Sequence, residues 1–95
     1  MDKKWNAFCV EWIKDSPDIL TVLEVKAITG YCKTSVQGWI DRGLIKAYLT
    51  GRSNKIPKVS LLEFMSSNKF YNMHVKSKTL KSKLEEFERM IKDEN

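Results

Sequence analysis

The sequence is poor in residues that bind metals: it contains one histidine, His74, and two cysteines, Cys9 and Cys32. The cysteines are too far apart to form a CxxC pair, and His74 has no cysteine nearby. A tetrahedral zinc site needs four clustered nitrogen or sulfur ligands. We therefore expect no structural metal and no other cofactor.

Long apolar runs are also missing. No stretch approaches the roughly eighteen consecutive apolar residues of a transmembrane helix. The first residues, MDKKWNAFCVEWIKDS, lack the unbroken apolar run of a signal peptide. These absences predict a soluble, cytoplasmic protein without a membrane partner.

Catalytic motifs are missing as well. The four glycines form no phosphate-binding loop, and the single histidine is not part of a recognisable Ser, His and Asp pattern. The sequence therefore does not predict an enzyme.

The composition is typical of one small globular domain. Apolar residues make up 42% and aromatic residues 11% of the 95 positions, which is enough for a single core. Seventeen basic and twelve acidic side chains give a formal net charge of +5. Residues 19–65 carry seven of the basic side chains and three of the acidic ones. This excess favours a polyanionic partner, although many soluble proteins are equally basic.

Apolar residues near the N-terminus recur at the spacing of an amphipathic helix, which residues 15–17 (Asp-Ser-Pro) end. The polar positions of this helix are mixed in charge, which favours packing on the core over binding to a membrane surface. Its apolar stripe is Trp5, Phe8, Cys9, Trp12 and Ile13.

Two short helices joined by a tight turn are predicted next. Thr21 and Glu24 have the spacing of a capping box, and the apolar run at residues 22–29 meets Gly30, a residue suited to a left-handed helix end. A second periodic run covers about Lys33 to Arg42, with Val36, Trp39 and Ile40 on one face. This order is a helix-turn-helix.

A β-hairpin and a third helix follow. Residues 44–49 and 55–57 have strand character, and residues 50–54 between them are turn formers. Ser60 and Glu63 repeat the capping-box spacing, which predicts a helix that begins at Ser60 and runs through Met65. Residues 66–77 have no clear pattern.

The run ILTVLEVKAITGYCKTSVQGWIDRGLIKAYLTGRSNKIPKVSLLEFM resembles the winged helix-turn-helix of the excisionase and MerR-like families. The matching features, in order, are Thr21 to Val25, Gly30, Lys33 to Val36, Arg42 to Ile45, Gly51-Arg52, Ile56-Pro57 and Ser60 to Met65. Three positions depart from the family pattern: Lys26 replaces a small alanine, Thr29 replaces a leucine, and Cys32 replaces a serine or threonine cap.

The resemblance implies a mainly α-helical fold with a small β-hairpin, a winged helix-turn-helix with an added N-terminal and C-terminal helix. The chain then divides into an N-terminal helix (residues 1–18), the winged domain (residues 19–66) and a C-terminal extension (residues 67–95). The implied function is sequence-specific binding of duplex DNA, as an excisionase-like accessory factor that partners a recombinase or as a small transcriptional regulator. A winged helix that binds proteins instead of DNA is the alternative.

The second helix of the pair carries the candidate reading residues, because its N-terminal residues meet base edges in helix-turn-helix complexes. An exposed glycine in mid-helix suggests a close approach of a phosphate or partner, or neutral drift. Asp41 would repel phosphate, so we expect it away from the groove or paired with Arg42 or Lys46. The candidates on the helix are Lys33, Thr34, Ser35, Gln37, Gly38 and Arg42.

The hairpin supplies the candidate backbone contacts, because long cations at a wing reach phosphates or the minor groove. These candidates are Lys46, Arg52, Asn54, Lys55 and Lys58. The alternative interpretations are that the helix candidates form a simply solvated face and that the charged hairpin tip only aids solubility.

The last helix has a heptad-like seam of about one and a half heptads, formed by Leu80, Leu84, Phe87 and Ile91. Residues 69–83 contain five lysines and no acid, whereas residues 84–95 contain five acids and two bases. This polarity suits an antiparallel homodimer. The alternative is that the seam packs on its own domain and the lysines are solvated.

Overall fold

The computed structural model describes residues 2–94, and side chains for residues 2–93. Six helices and three short strands form this part of the chain, so the predicted mainly helical, winged helix-turn-helix fold with a helix added at each end is confirmed. In chain order they are α1 (Lys3–Ile13), β1 (Ile19–Leu20), α2 (Val22–Thr29), α3 (Lys33–Asp41), β2 (Tyr48–Thr50), β3 (Ser53–Pro57), α4 (Lys58–Met65), α5 (Asn68–Tyr71) and α6 (Lys78–Glu94).

Helix α1 packs on the core, as its apolar stripe predicts. Its first turn is capped by Asp2, whose side chain accepts a hydrogen bond from the Lys4 backbone N–H at 2.9 Å. The indole of Trp5 donates a 2.7 Å hydrogen bond to the Met65 carbonyl at the end of α4. The stripe residues Trp5, Phe8, Cys9 and Ile13 are buried, and Trp12 is half-buried.

The α2–α3 pair forms where the local signals predict it. The Thr21 hydroxyl accepts from the Glu24 backbone N–H at 3.2 Å, and the Glu24 carboxylate accepts from the Thr21 N–H at 2.9 Å. This reciprocal capping box fixes the start of α2. Gly30 ends α2 in the left-handed conformation with φ of 77°. The inner face of α3 is buried through Val36 and Trp39.

The wing is a tighter hairpin than the sequence predicts, and it is joined by a third strand. Strands β2 and β3 pair from Tyr48 with Lys55 to Thr50 with Ser53, which leaves Gly51 and Arg52 as a two-residue turn. Gly51 has φ of 63°, a conformation that two-residue hairpin turns require and side chains disfavour. Strand β1 adds to the other edge of β3, giving the order β1-β3-β2.

The predicted capping box at Ser60 is wrong. Helix α4 begins two residues earlier, directly after β3, with Pro57 at its N-cap. Ser60 lies inside the helix and is buried, and its hydroxyl accepts a 2.7 Å hydrogen bond from the Lys46 backbone N–H. The hydroxyl therefore joins α4 to the start of the wing.

The seam of α6 packs on its own domain. Leu80 and Phe87 are buried, and the Phe87 ring lies 5.1 Å from the Trp5 ring and 5.4 Å from the Phe8 ring of α1. Leu84 and Ile91 are half-buried. Side chains from all six helices share one hydrophobic cluster. Of the two interpretations of the seam, packing within the chain accounts for Leu80 and Phe87.

Candidate nucleic-acid interface

Helix α3 presents a polar face to solvent because its apolar face is anchored in the core. Val36 is fully buried and the exposed fraction of Trp39 is 1%. The predicted reading residues lie on the outer side and flanks of the helix. Lys33, Thr34 and Arg42 are exposed, whereas Ser35, Gln37 and Gly38 are half-buried.

Gln37 connects α3 to the wing. Its side-chain Oε1 accepts a 3.3 Å hydrogen bond from Nδ2 of Asn54 on β3. Its Nε2 donates a 3.0 Å hydrogen bond to Asp41 Oδ1, one turn further along α3. The Asn54 amide therefore faces α3, and Asp41 pairs with Gln37 rather than with Arg42 or Lys46. This relay holds the hairpin against the helix.

A groove with a volume of about 430 Å³ lies between the α2–α3 pair and the hairpin. Its lining consists of residues 21–23 at the start of α2, Lys33 and Gln37 of α3, and residues 52–54 of the hairpin. A second concavity of about 390 Å³ follows α3 and shares Lys33 and Gln37 with the first. One continuous surface therefore joins the start of α2, α3 and the wing tip.

The basic residues predicted on the wing divide into two groups. Arg52 is exposed at the hairpin tip, Lys46 is exposed two residues before β2, and Lys55 is half-buried on β3. Lys58 does not belong to the hairpin, which corrects its prediction as a wing residue. It is the first residue of α4, and its ammonium donates hydrogen bonds to the carbonyls of Lys14 at 3.1 Å and Ser16 at 2.9 Å. Lys58 thus supplies hydrogen-bond donors to backbone carbonyls just after the C-terminal residue of α1.

The contribution of α2 to this surface is not predicted by its sequence pattern. Leu23 is 68% exposed at the first turn of α2 and lines the groove beside Val22. The capping box predicts where α2 begins, but only the packing of the wing places that first turn across from Arg52. The available signal was helical periodicity, which places Leu23 off the face that Val25 and Thr29 bury.

A helix-turn-helix domain family matches residues 19–69, which is more than half of the chain. The chain belongs to this helix-turn-helix family. Searches of curated proteins and of solved structures returned no significant match. Helix-turn-helix domains bind DNA through their second helix and are typically not enzymes. Family membership therefore implies DNA as the partner of this domain.

The second helix of this helix-turn-helix begins with an unusual cap. Cys32 occupies the N-cap position and its side chain makes no capping hydrogen bond. The Ser35 hydroxyl lies 3.4 Å from Cys32 Sγ and lowers the pKa of this exposed thiol. By contrast, burial raises the pKa of the Cys9 thiol to about 12. The helix-turn-helix therefore carries an exposed thiol of lowered pKa at the N-terminal end of α3, the end that enters DNA in such domains.

Two classes of site find no support in the part of the chain that the structure covers. Residues 2–94 contain no group of three or more His, Cys, Asp or Glu side chains that could hold a metal ion. Within the same residues, no helix is both long and apolar enough to cross a bilayer.

Proposed function

We propose that this protein binds duplex DNA in a sequence-specific manner, with α3 in the major groove and the hairpin as a wing against the backbone. The observation that carries the proposal is the continuous surface that joins Lys33 and Gln37 on α3 to Arg52 at the wing tip. In helix-turn-helix complexes the N-terminal residues of the second helix contact base edges. Here that end presents the exposed Lys33 and Thr34.

The base-reading roles follow from the hydrogen-bonding groups that α3 leaves available. Lys33 can donate to the acceptors of guanine, and Thr34 can hydrogen-bond a base or contact a thymine methyl group. Gln37 uses its oxygen and one N–H within the protein. A bidentate pair with adenine would require Gln37 to release both Asn54 and Asp41. We therefore assign Gln37 two tasks, which are to position the wing and to read one base acceptor with its remaining N–H.

The positioning contacts come from the wing and from the end of α3. Arg52 and Lys55 would contact phosphates or the minor groove, and Lys46 would contact the backbone beside the stem. The guanidinium of Arg42 donates from Nε to the Gly38 carbonyl at 3.2 Å, which leaves its two terminal nitrogens for a phosphate. We assign these contacts to the winged domain at residues 19–66, supported by residues 1–18 and 67–95.

The biological role that we propose is the one that the excisionase and MerR-like resemblance implies. The protein would act in the cytoplasm as an accessory factor for a recombinase or as a small transcriptional regulator. A second copy would have only Leu84 and Ile91 of the seam to contact, because Leu80 and Phe87 belong to the core. Sedimentation with and without duplex DNA tests whether a homodimer forms.

The decisive experiment is fluorescence anisotropy with labelled duplexes, first random and then selected from a random pool, over a range of salt concentrations. Neutralised phosphates release counterions, so the log of the binding constant should fall with the log of the salt concentration by about 0.9 per contact, for about four to seven contacts. A selected duplex should bind more tightly than the random one. Absence of binding below about 50 mM salt, or an affinity independent of salt, would refute DNA binding. That result would favour the protein-binding alternative.

A further inference from the structure

Residues 75–79, which we call the strap, comprise the end of the α5–α6 connection and the first two residues of α6, and they lie along the turn of the helix-turn-helix. Every second residue of the strap is anchored there. The Val75 carbonyl accepts a 2.9 Å hydrogen bond from the Tyr31 hydroxyl. The Ser77 hydroxyl donates a 2.6 Å hydrogen bond to the Thr29 carbonyl. The turn and the strap therefore form one unit.

The third anchor is a close contact between the backbone of Gly30 and the side chain of Thr79. A Cβ atom at this position would lie 2.5 Å from Thr79 Oγ1 and 2.7 Å from Thr79 Cβ, both far inside van der Waals contact. Only glycine therefore permits the first turn of α6 to approach so closely. Because Gly30 also ends α2, the strap is fixed two residues before the N-cap of α3.

The residues between the anchors are both lysines. Lys76 is half-buried and its ammonium donates a 2.7 Å hydrogen bond to the Met73 carbonyl. Lys78 is exposed, and no ion pair engages it within residues 2–93. The first turn of α6 contains no acidic residue. A lysine in the first turn is disfavoured by the helix dipole, so the stability of α6 does not explain the position of Lys78.

The position of the strap suggests a role for Lys78 in binding. Ser77 contacts Thr29 and Thr79 contacts Gly30, so Lys78 lies between two residues that are anchored on the turn. From Gly30 the chain leads directly into the N-terminal end of α3. In helix-turn-helix complexes this end enters the major groove, whose edges are lined by phosphates. A lysine side chain beside this end is therefore placed to meet the DNA backbone next to the reading helix.

We propose that the strap is a third DNA-contacting element, in which Lys78, assisted by Lys76, binds backbone phosphate beside the N-terminus of α3. The proposal rests on the proposed DNA binding and extends it to a segment outside the matched family domain. It gives the C-terminal extension a direct part in binding, in addition to its packing on the core.

The test compares the full-length variants Lys78→Ala, Lys78→Arg and Lys92→Ala with the unmodified protein, by anisotropy on the same duplex at several salt concentrations. Lys92 is an exposed lysine of the same helix, fourteen residues or about 21 Å further along it, and serves as the matched control. Lys78→Ala should weaken binding severalfold and reduce the salt slope by about 0.9. Lys78→Arg should retain the slope, and Lys92→Ala should change neither quantity.

The outcomes separate this proposal from the proposed function. If the unmodified protein binds DNA with a steep salt slope, and Lys78→Ala equals Lys92→Ala, the strap proposal is refuted while DNA binding stands. If the unmodified protein binds no duplex at any salt concentration, both proposals are refuted. Thermal melting of each variant provides the folding control. The Lys78→Ala protein should melt no lower than the unmodified protein, because the substitution removes a positive charge that the helix dipole disfavours.

Discussion

Replacing Gly38 by alanine separates the stability of α3 from its contact with DNA. Gly38 lies inside the helix, and an added Cβ atom would meet only Nη2 of Arg42, at the ordinary contact distance of 3.8 Å. Glycine costs a helix interior about 0.5–1 kcal/mol relative to alanine. Since the chain has room for the methyl group, Gly38→Ala should raise the free energy of unfolding by about that amount. For a domain of this size, this corresponds to an increase in Tm of about 3–5 °C.

The same substitution should weaken DNA binding. Gly38 lines the concavity along α3 together with Lys33 and Thr34. If the helix backbone approaches DNA closely at this point, a methyl group forces the two surfaces apart, and we expect a loss of affinity of about tenfold, or about 1.4 kcal/mol. The assays are thermal melting for stability and anisotropy for affinity. Val10→Ala, at an exposed position of α1, is the control for a substitution by alanine in a helix outside the proposed DNA surface.

Two results would contradict this reasoning. A stabilised Gly38→Ala protein with unchanged affinity would show that the glycine has no role in the approach to DNA, and that neutral drift explains it. A destabilised protein would show that the space around Gly38 is smaller than the 3.8 Å contact indicates.

Three further substitutions or treatments test other parts of the structure. Gln37→Ala should reduce base discrimination by about 1 kcal/mol, the contribution of a single hydrogen bond, because the other polar groups of Gln37 are engaged by Asn54 and Asp41. Arg52→Ala should instead weaken all duplexes alike and lower the salt slope, as competition anisotropy would measure. A Gln37→Ala protein that loses affinity equally for specific and random DNA would contradict this division. Iodoacetamide should modify Cys32 and spare Cys9. The lowered pKa of Cys32 gives it a larger thiolate fraction at a given pH, whereas the pKa of Cys9 is raised to about 12 and keeps that side chain a thiol. Mass spectrometry measures both rates, and DNA should protect Cys32; equal rates would contradict the burial argument. Deleting residues 79–95 should destabilise the fold by several kcal/mol, because it removes two buried α6 side chains, and a truncated protein with an unchanged denaturation midpoint would contradict the observed packing.

The helix-turn-helix was predictable because its signals are local. The capping box of α2 joins Thr21 to Glu24, three residues away, and Gly30 ends the same helix through its own backbone conformation. The periodicity of the inner face of α3 also depends on neighbours three and four residues apart. Interactions of this range form whenever the segment is helical, so the sequence alone determines where these helices begin and end.

The predictions for two side chains were corrected by the structure, and in both cases the side chain has a partner far along the chain. Ser60 has the spacing of a cap, yet its hydroxyl serves Lys46, fourteen residues away. Lys58 has the charge of a wing residue, yet it binds carbonyls at the end of α1, more than forty residues away. Strand β1 has two residues and forms because β3 offers it a free edge. No pattern within a short window contains these partners.

The candidate site divides in the same way. The sequence by itself determined that α3 would present polar residues opposite Val36 and Trp39, since the inner face of the helix fixes the outer one. Only the tertiary structure decided that Asn54 of the wing bonds to Gln37 and that the strap lies on the Gly30 turn. The physical reason is the range of the interactions: helix periodicity follows from the backbone, whereas the approach of two separate segments is decided by the shared core that packs them together.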